Sequence, residues 1–239
     1  MTTTTPTDTS GSTPRETARD AVAAASRQLA ADGLLIGTAG NVSMVVPGTG
    51  GTSSTGSTEI AITATGIHLG TAGPDQVSIV DPDGVLLDGD LVPTSELELH
   101  LGAYATHGAG AVVHTHSPAA TAISLVVDEL PCVHYQQLLL GGSIRVAPFA
   151  VFGSAELATH VRDALEGRQA AILANHGTLA LGADLAAAVD NARLLEWLAD
   201  LYWRARAIGT PRALSEAQQH AVIETALATG YGTPRRAES

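Results

Sequence analysis

One α/β domain, with a largely antiparallel or mixed sheet covered by helices, is the fold the sequence predicts. Short apolar runs rich in Val, Ile and Ala alternate with longer stretches whose apolar residues recur at helical spacing. The chain has 239 residues, 45% of them hydrophobic, enough to fill a sizeable core. No internal repeat and no clear boundary divides it. Aromatic residues make up only 3%, so that core must be built from Ala, Val, Leu and Ile.

Met1 to Pro14 is rich in Thr and Ser with few apolar residues, and a disordered tail is expected there. Arg15 to Ala31 has helical spacing and forms the first predicted helix. Leu34 to Val46 reads as a strand pair interrupted by Gly37-Thr38-Ala39-Gly40-Asn41. The Gly/Ser/Thr tract from Pro47 to Thr58 reads as a flexible hairpin tip before a strand at Glu59 to Ala64. Val77–Val80 and Val85–Leu87 flank Asp81-Pro82-Asp83-Gly84 as a second hairpin. Thr94 or Ser95 is expected to cap a helix to about His107, with Leu97, Leu101 and Tyr104 as its apolar stripe. A short buried strand from Ala111 follows, then a helix from about Pro118 to Val126 and a loop through Tyr135. Ser143–Ala147 is a strand, Ser154–Leu165 a helix, and Ala170–Ala174 and Thr178–Leu181 are strands bracketing His176. Two helices, about Ala183–Ile208 and Ser215–Ala228, end the pattern.

Charge narrows the function. Twelve basic residues against 24 acidic ones give a net charge of −12, with no basic cluster, which argues against nucleic acid and anionic membrane as partners. The single cysteine, Cys132, cannot form an internal disulfide and reads as a small buried residue. With neither a signal-peptide pattern nor an apolar run approaching a membrane span, a soluble, cytoplasmic chain is expected. All 12 basic residues are arginine. Schiff-base chemistry and a P-loop lysine are therefore excluded, and a carbonyl substrate must be handled by a metal or by fixed hydrogen-bond donors.

Histidines supply the metal. On a strand from Ala111, His114 and His116 point the same way while Thr115 faces the opposite side. His176, in Leu-Ala-Asn-His-Gly, completes a three-imidazole set that leaves a metal position open, as catalytic sites do. Taken alone, a His-x-His among nine histidines is more often core or loop. Three donor sets surround it in sequence: Gly37-Thr38-Ala39-Gly40-Asn41, Thr63-Ala64-Thr65-Gly66, and Thr94-Ser95 at a helix start. Each alone is an ordinary turn or cap; together, in a lysine-free chain, they suggest a phosphate held by neutral groups. Glu96 suits a first helical turn on dipole grounds, and beside a bound phosphate it would act as general base. A Glu96–His100 metal pair ranks below the three-histidine set, and His68, His107, His134, His160 and His220 have no partner at ligand spacing.

These motifs, in this order, resemble the class II aldolase/adducin family. Gly-Thr-Ala-Gly-Asn-Val-Ser, Thr-Ala-Thr-Gly-Ile, Pro-Thr-Ser-Glu, Val-Val-His-Thr-His and Asn-His-Gly carry the match, with Val-His-Tyr at 133–135 and Ala-Pro-Phe-Ala-Val-Phe-Gly at 147–153. The resemblance covers about residues 15 to 232, leaving 233–239 as a C-terminal tail, and implies a three-layer αβα domain. It is strongest to members that cleave ketose 1-phosphates, such as L-fuculose 1-phosphate, into dihydroxyacetone phosphate and a short aldehyde. By resemblance, His114, His116 and His176 bind one divalent ion per subunit, usually zinc, with manganese or cobalt as substitutes. Glu96 is the acid/base, and Thr38, Gly40, Asn41, Thr65, Gly66, Thr94 and Ser95 hold the phosphate. Tyr135 serves proton transfer at the aldehyde, and Tyr231 reaches a neighbouring subunit's site in a homotetramer. Ala64 stands where the family usually has proline, and the Pro47–Thr58 tract is longer than typical. Two rivals remain. The family's L-ribulose-5-phosphate 4-epimerases place an aspartate near 133–135, where this chain has none; adducin-like binding heads lack the metal histidines, which are all present here.

Overall fold

The computed structural model describes residues 12–49 and 58–231. The expected terminal tails fall outside the described residues except for 12–14, as does most of the Pro47–Thr58 tract. Helix α1 spans Pro14–Ala31, one residue earlier than expected, because Thr13 and Glu16 form a reciprocal capping box. The remaining helices are α2 Leu97–His107, α3 Pro118–Ser124, α4 Ala155–Ala164, α5 Leu185–Ile208 and α6 Glu216–Thr229. Strands are β1 Asn41–Val45, β2 Ile60–Thr63, β3 Val77–Val80, β4 Leu86–Asp88, β5 Ala111–Thr115, β6 Glu129–Leu130, β7 Ile144–Ala147, β8 Ala170–Leu173 and β9 Gly177–Gly182.

Among the described residues these strands form one sheet in the order β4-β3-β2-β1-β5-β9-β8-β7-β6. Only β7 and β8 run parallel, so the sheet is mixed and largely antiparallel. Side-chain alternation divides the core between two faces. Ala111 and Val113 of β5 pack with α1, α3 and α5, whereas Val112 packs with Leu99 of α2 and Leu157 and Val161 of α4. Helices therefore cover both faces, giving three αβα layers.

Three local expectations need correction. Leu34–Ile36 is not a strand: Gly33, Gly37 and Gly40 all take positive φ and turn the chain repeatedly. Its apolar character comes from Leu34 and Leu35 packing on the core from a loop. Helix α2 is capped by neither Thr94 nor Ser95; Glu96 occupies the N-cap, and Thr94 Oγ1 instead accepts the Glu96 backbone N–H at 3.2 Å. Finally, the loop expected through Tyr135 contains strand β6 and a 3₁₀ segment at Tyr135–Leu140. The broad apolar face of α5 is mostly internal: Leu198 and Tyr202 are buried, while Trp197 is exposed.

Candidate functional site

Strand pairing builds the centre of the site. Asn41 of β1 stands opposite His114 of β5, and Ser43 opposite Val112, so Asn41, Ser43 and His114 share the sheet face covered by α2. β9 pairs on the other side of β5 and begins at the turn that carries His176. That turn needs two unusual residues. Asn175 takes φ +58°, which asparagine tolerates, and a Cβ at Gly177 would lie 2.1 Å from Thr115 O. Gly40 is similarly constrained, with φ +92° and an added Cβ 2.9 Å from the His114 carbonyl.

His114, His116, His176 and Glu96 each offer a ligand atom, and these atoms lie within 4.8 Å of one another. His114 Nδ1 donates to Thr178 O at 2.8 Å, which turns Nε2 into the cluster, 3.1 Å from His116 Nε2. Glu96 Oε2 lies 3.0 Å from His114 Nε2, and Oε1 lies 3.3 Å from His176 Nε2 without a hydrogen bond. Burial, with the charge of neighbouring His114, pushes His116 and His176 down to about 4, so both are neutral at pH 7 and present lone pairs. Burial would raise the Glu96 carboxyl, but close contact with His114, a hydrogen bond from Asn41 and the proximity of His176 hold it well below the usual carboxylate range. Three converging imidazoles and an ionised, partly unsatisfied carboxylate fit a divalent cation with nitrogen preference. Thr115, as expected, faces away and bonds Thr178 Oγ1 at 2.7 Å.

The cluster opens into a cavity of about 580 Å³, within the range that holds a small metabolite. Its walls include Thr38, Gly40, Asn41, Thr65, Gly66, Thr94 and Ser95, with Glu96, His116 and His176 at the base. Phe149, Val151, Phe152 and Asn175 also line it. Sequence reasoning gave these four no role; their signal was the motif at 147–153 and the residue beside His176. His100 lies outside the metal group: it is fully buried and bonds Asn41 Oδ1 through Nε2 and Ser43 Oγ through Nδ1. Burial and the charge on His114, opposed by Glu96, push it down to about 3.

The structure does not bring Tyr135 and Tyr231 to this cavity within the chain. Both are partly exposed, their hydroxyls are 3.1 Å apart, and they line a separate apolar pocket against α6. Tyr231 thus has a partner in its own chain, which its sequence context did not suggest.

Comparison with known proteins identifies the family and the fold. The family of the class II aldolase and adducin N-terminal domain matches residues 20–203. A 5-methylthioribulose-1-phosphate/5-deoxyribulose-1-phosphate aldolase of Rhodospirillum rubrum is 37% identical over 202 residues, covering 84% of this chain and 86% of the relative. The L-fuculose phosphate aldolase of Escherichia coli K12 is 36% identical over 193 residues, 80% of this chain and 85% of the relative. A solved L-fuculose 1-phosphate aldolase superposes with a TM-score of 0.79 at 29% identity, over 90% of this chain and 97% of its own. The chain belongs to the class II aldolase/adducin family and is an aldehyde-lyase of its sugar-phosphate aldolase type.

Proposed function

We propose that this enzyme cleaves a ketose 1-phosphate, such as L-fuculose 1-phosphate, into dihydroxyacetone phosphate and a short aldehyde. One observation carries the reading: His116 and His176 of the three-histidine cluster line a cavity walled by neutral hydroxyl and amide groups. Such a wall holds a phosphate without lysine: Thr38, Thr65, Thr94 and Ser95 supply its side-chain donors beside Gly40 and Gly66, and Asn41 orients Thr94. The three imidazoles would hold one divalent ion, zinc by preference, which would supply Lewis acidity toward the substrate's carbonyl oxygen. Glu96, ionised beside the same cluster, accepts the carbon-bound proton on condensation, and in its protonated form it returns that proton to the substrate carbon on cleavage. The electron pair of the broken carbon–carbon bond moves toward the carbonyl. Tyr135 relays the proton from the hydroxyl that becomes the aldehyde, passing its own hydroxyl proton to solvent as it accepts that one.

Tyr135 can do so only on a neighbouring copy, since in its own chain it faces α6. We infer a homo-oligomer with sites between subunits, a homotetramer by family resemblance, with Tyr135 and Tyr231 presented together by their shared hydrogen bond. Truncation after Ala228, which removes Tyr231, is expected to lower kcat while leaving bound metal unchanged. Full activity of a monomeric species by light scattering at assay concentration would exclude this arrangement.

A second substrate reading has its own support. Phe149, Val151 and Phe152 are 64%, 63% and 66% exposed on the cavity wall, an apolar surface suited to the deoxy or methylthio tails named for relatives. The deciding assay measures bound metal and then dihydroxyacetone phosphate release from L-fuculose 1-phosphate, 5-deoxyribulose 1-phosphate and 5-methylthioribulose 1-phosphate. Release from none of them, or epimerisation of L-ribulose 5-phosphate alone, would overturn the aldolase substrate class.

A further inference from the structure

Behind the phosphate wall lies a buried polar chain that the reaction does not touch. It runs from Tyr104 through Ser43 and His100 to Asn41, and its hydrogen directions can be assigned from one end. The Glu96 carboxylate only accepts, so the Asn41 atom 3.0 Å from its Oε2 must be the amide nitrogen. Asn41 Oδ1 therefore faces His100 and accepts from Nε2–H. Burial keeps this imidazole neutral, so Nδ1 is bare and accepts from the Ser43 hydroxyl at 2.7 Å. Ser43 Oγ in turn takes the Tyr104 hydroxyl proton across 2.6 Å. At the site end, Asn41 Nδ2 also donates to Thr94 Oγ1 at 3.0 Å, and the Glu96 backbone N–H donates to the same oxygen at 3.2 Å. With both lone pairs engaged, Thr94 has only its own proton left to offer the cavity.

We propose that His100 is a positioning residue: its Nε2–H, held on Asn41 Oδ1 by the buried chain behind it, keeps the two Asn41 amide hydrogens on Glu96 and Thr94, which leaves the Thr94 hydroxyl as a donor toward the anionic substrate and aims Glu96 at the cluster. Without that proton Asn41 is free to turn its amide over. Its oxygen would then face a carboxylate, and the Thr94 hydroxyl would lose its fixed direction. The effect rests on the phosphate-wall reading for its kinetic consequence, but the tautomer does not.

Two measurements test it. In the metal-loaded full chain, ¹⁵N NMR of labelled histidine, with His100 assigned through its own backbone correlations, is expected to show a neutral ring protonated on Nε2. A proton on Nδ1 overturns the proposal, and this readout needs no substrate. In kinetics, His100→Leu is expected to lower kcat/KM roughly 10- to 100-fold at unchanged metal content, the range for residues that act through a functional neighbour. His100→Gln retains a nitrogen donor and should recover most of the loss. Against an Asn41→Ala background the His100→Leu loss should vanish, because the two residues act as one unit. An equal fold-loss in both backgrounds would mean a packing role only and would overturn it.

Discussion

His114→Ala and His176→Ala are each expected to purify with much less than one metal per chain and to lose cleavage activity on the order of a thousand-fold. The size follows from the several kcal/mol that a Lewis acid supplies to a developing oxyanion, at about tenfold per 1.4 kcal/mol. The chain has no lysine to take up that charge as a Schiff base instead. The two residues come from different parts of the fold, one on β5 and one on the β8–β9 turn, yet their rings are 4.8 Å apart at the centroids. Each removal therefore opens the same coordination sphere, and chelation of the wild-type enzyme should reproduce the loss, with zinc restoring it. Far-UV circular dichroism should be unchanged, because Thr178 O loses only one side-chain donor in His114→Ala. Full metal occupancy in both variants would refute the three-imidazole site.

Much of this centre was legible in the sequence because strand geometry is strict. Period-two alternation suffices to put His114 and His116 on one face, and the Asn-His-Gly turn marks a third ring delivered by tight backbone. The same rule, applied to β1, would have placed Asn41 and Ser43 on the face of His114; only the register of β1 against β5 reveals that they meet. His100 was legible as lying on the same helix as Glu96, and period 3.6 made a metal pair conceivable. What the spacing omits is that Asn41 stands between them and takes the His100 bond. Apolar runs misled where burial was achieved without regular structure. Leu34 is buried from a loop whose glycines adopt positive φ, a conformation that no hydrophobic pattern encodes. Tyr135 and Tyr231 were unreadable for a different reason: their pairing depends on how α6 docks on the 3₁₀ segment, a long-range contact with little apolar periodicity behind it.

Glu96→Gln is expected to retain metal and fold but to lose turnover by roughly a hundred- to ten-thousand-fold, the range for removing a positioned general base. Glutamine preserves the shape at the N-cap of α2, where Glu96 makes no side-chain cap that the change could break. It removes the negative charge that Asn41 and His114 stabilise, and with it the acceptor for the carbon-bound proton. Because loss of a step confined to the transition state lowers kcat and kcat/KM together, KM should move little. The geometry also sets a sharper alternative, since both carboxylate oxygens stand at 3.0 and 3.3 Å from histidine nitrogens of the cluster. If Glu96 served mainly as a fourth ligand, Glu96→Gln would lose metal along with activity, and added zinc would restore much of the rate. Measuring metal content and kcat on the same preparation separates these outcomes: bound metal with lost turnover assigns proton transfer, whereas near wild-type turnover would leave Glu96 only its place at the helix start. The neutral partner matters as well. His176→Ala removes a ligand but leaves the Glu96 carboxylate in place, so zinc at high concentration should recover part of that variant's rate and none of the rate lost in Glu96→Gln.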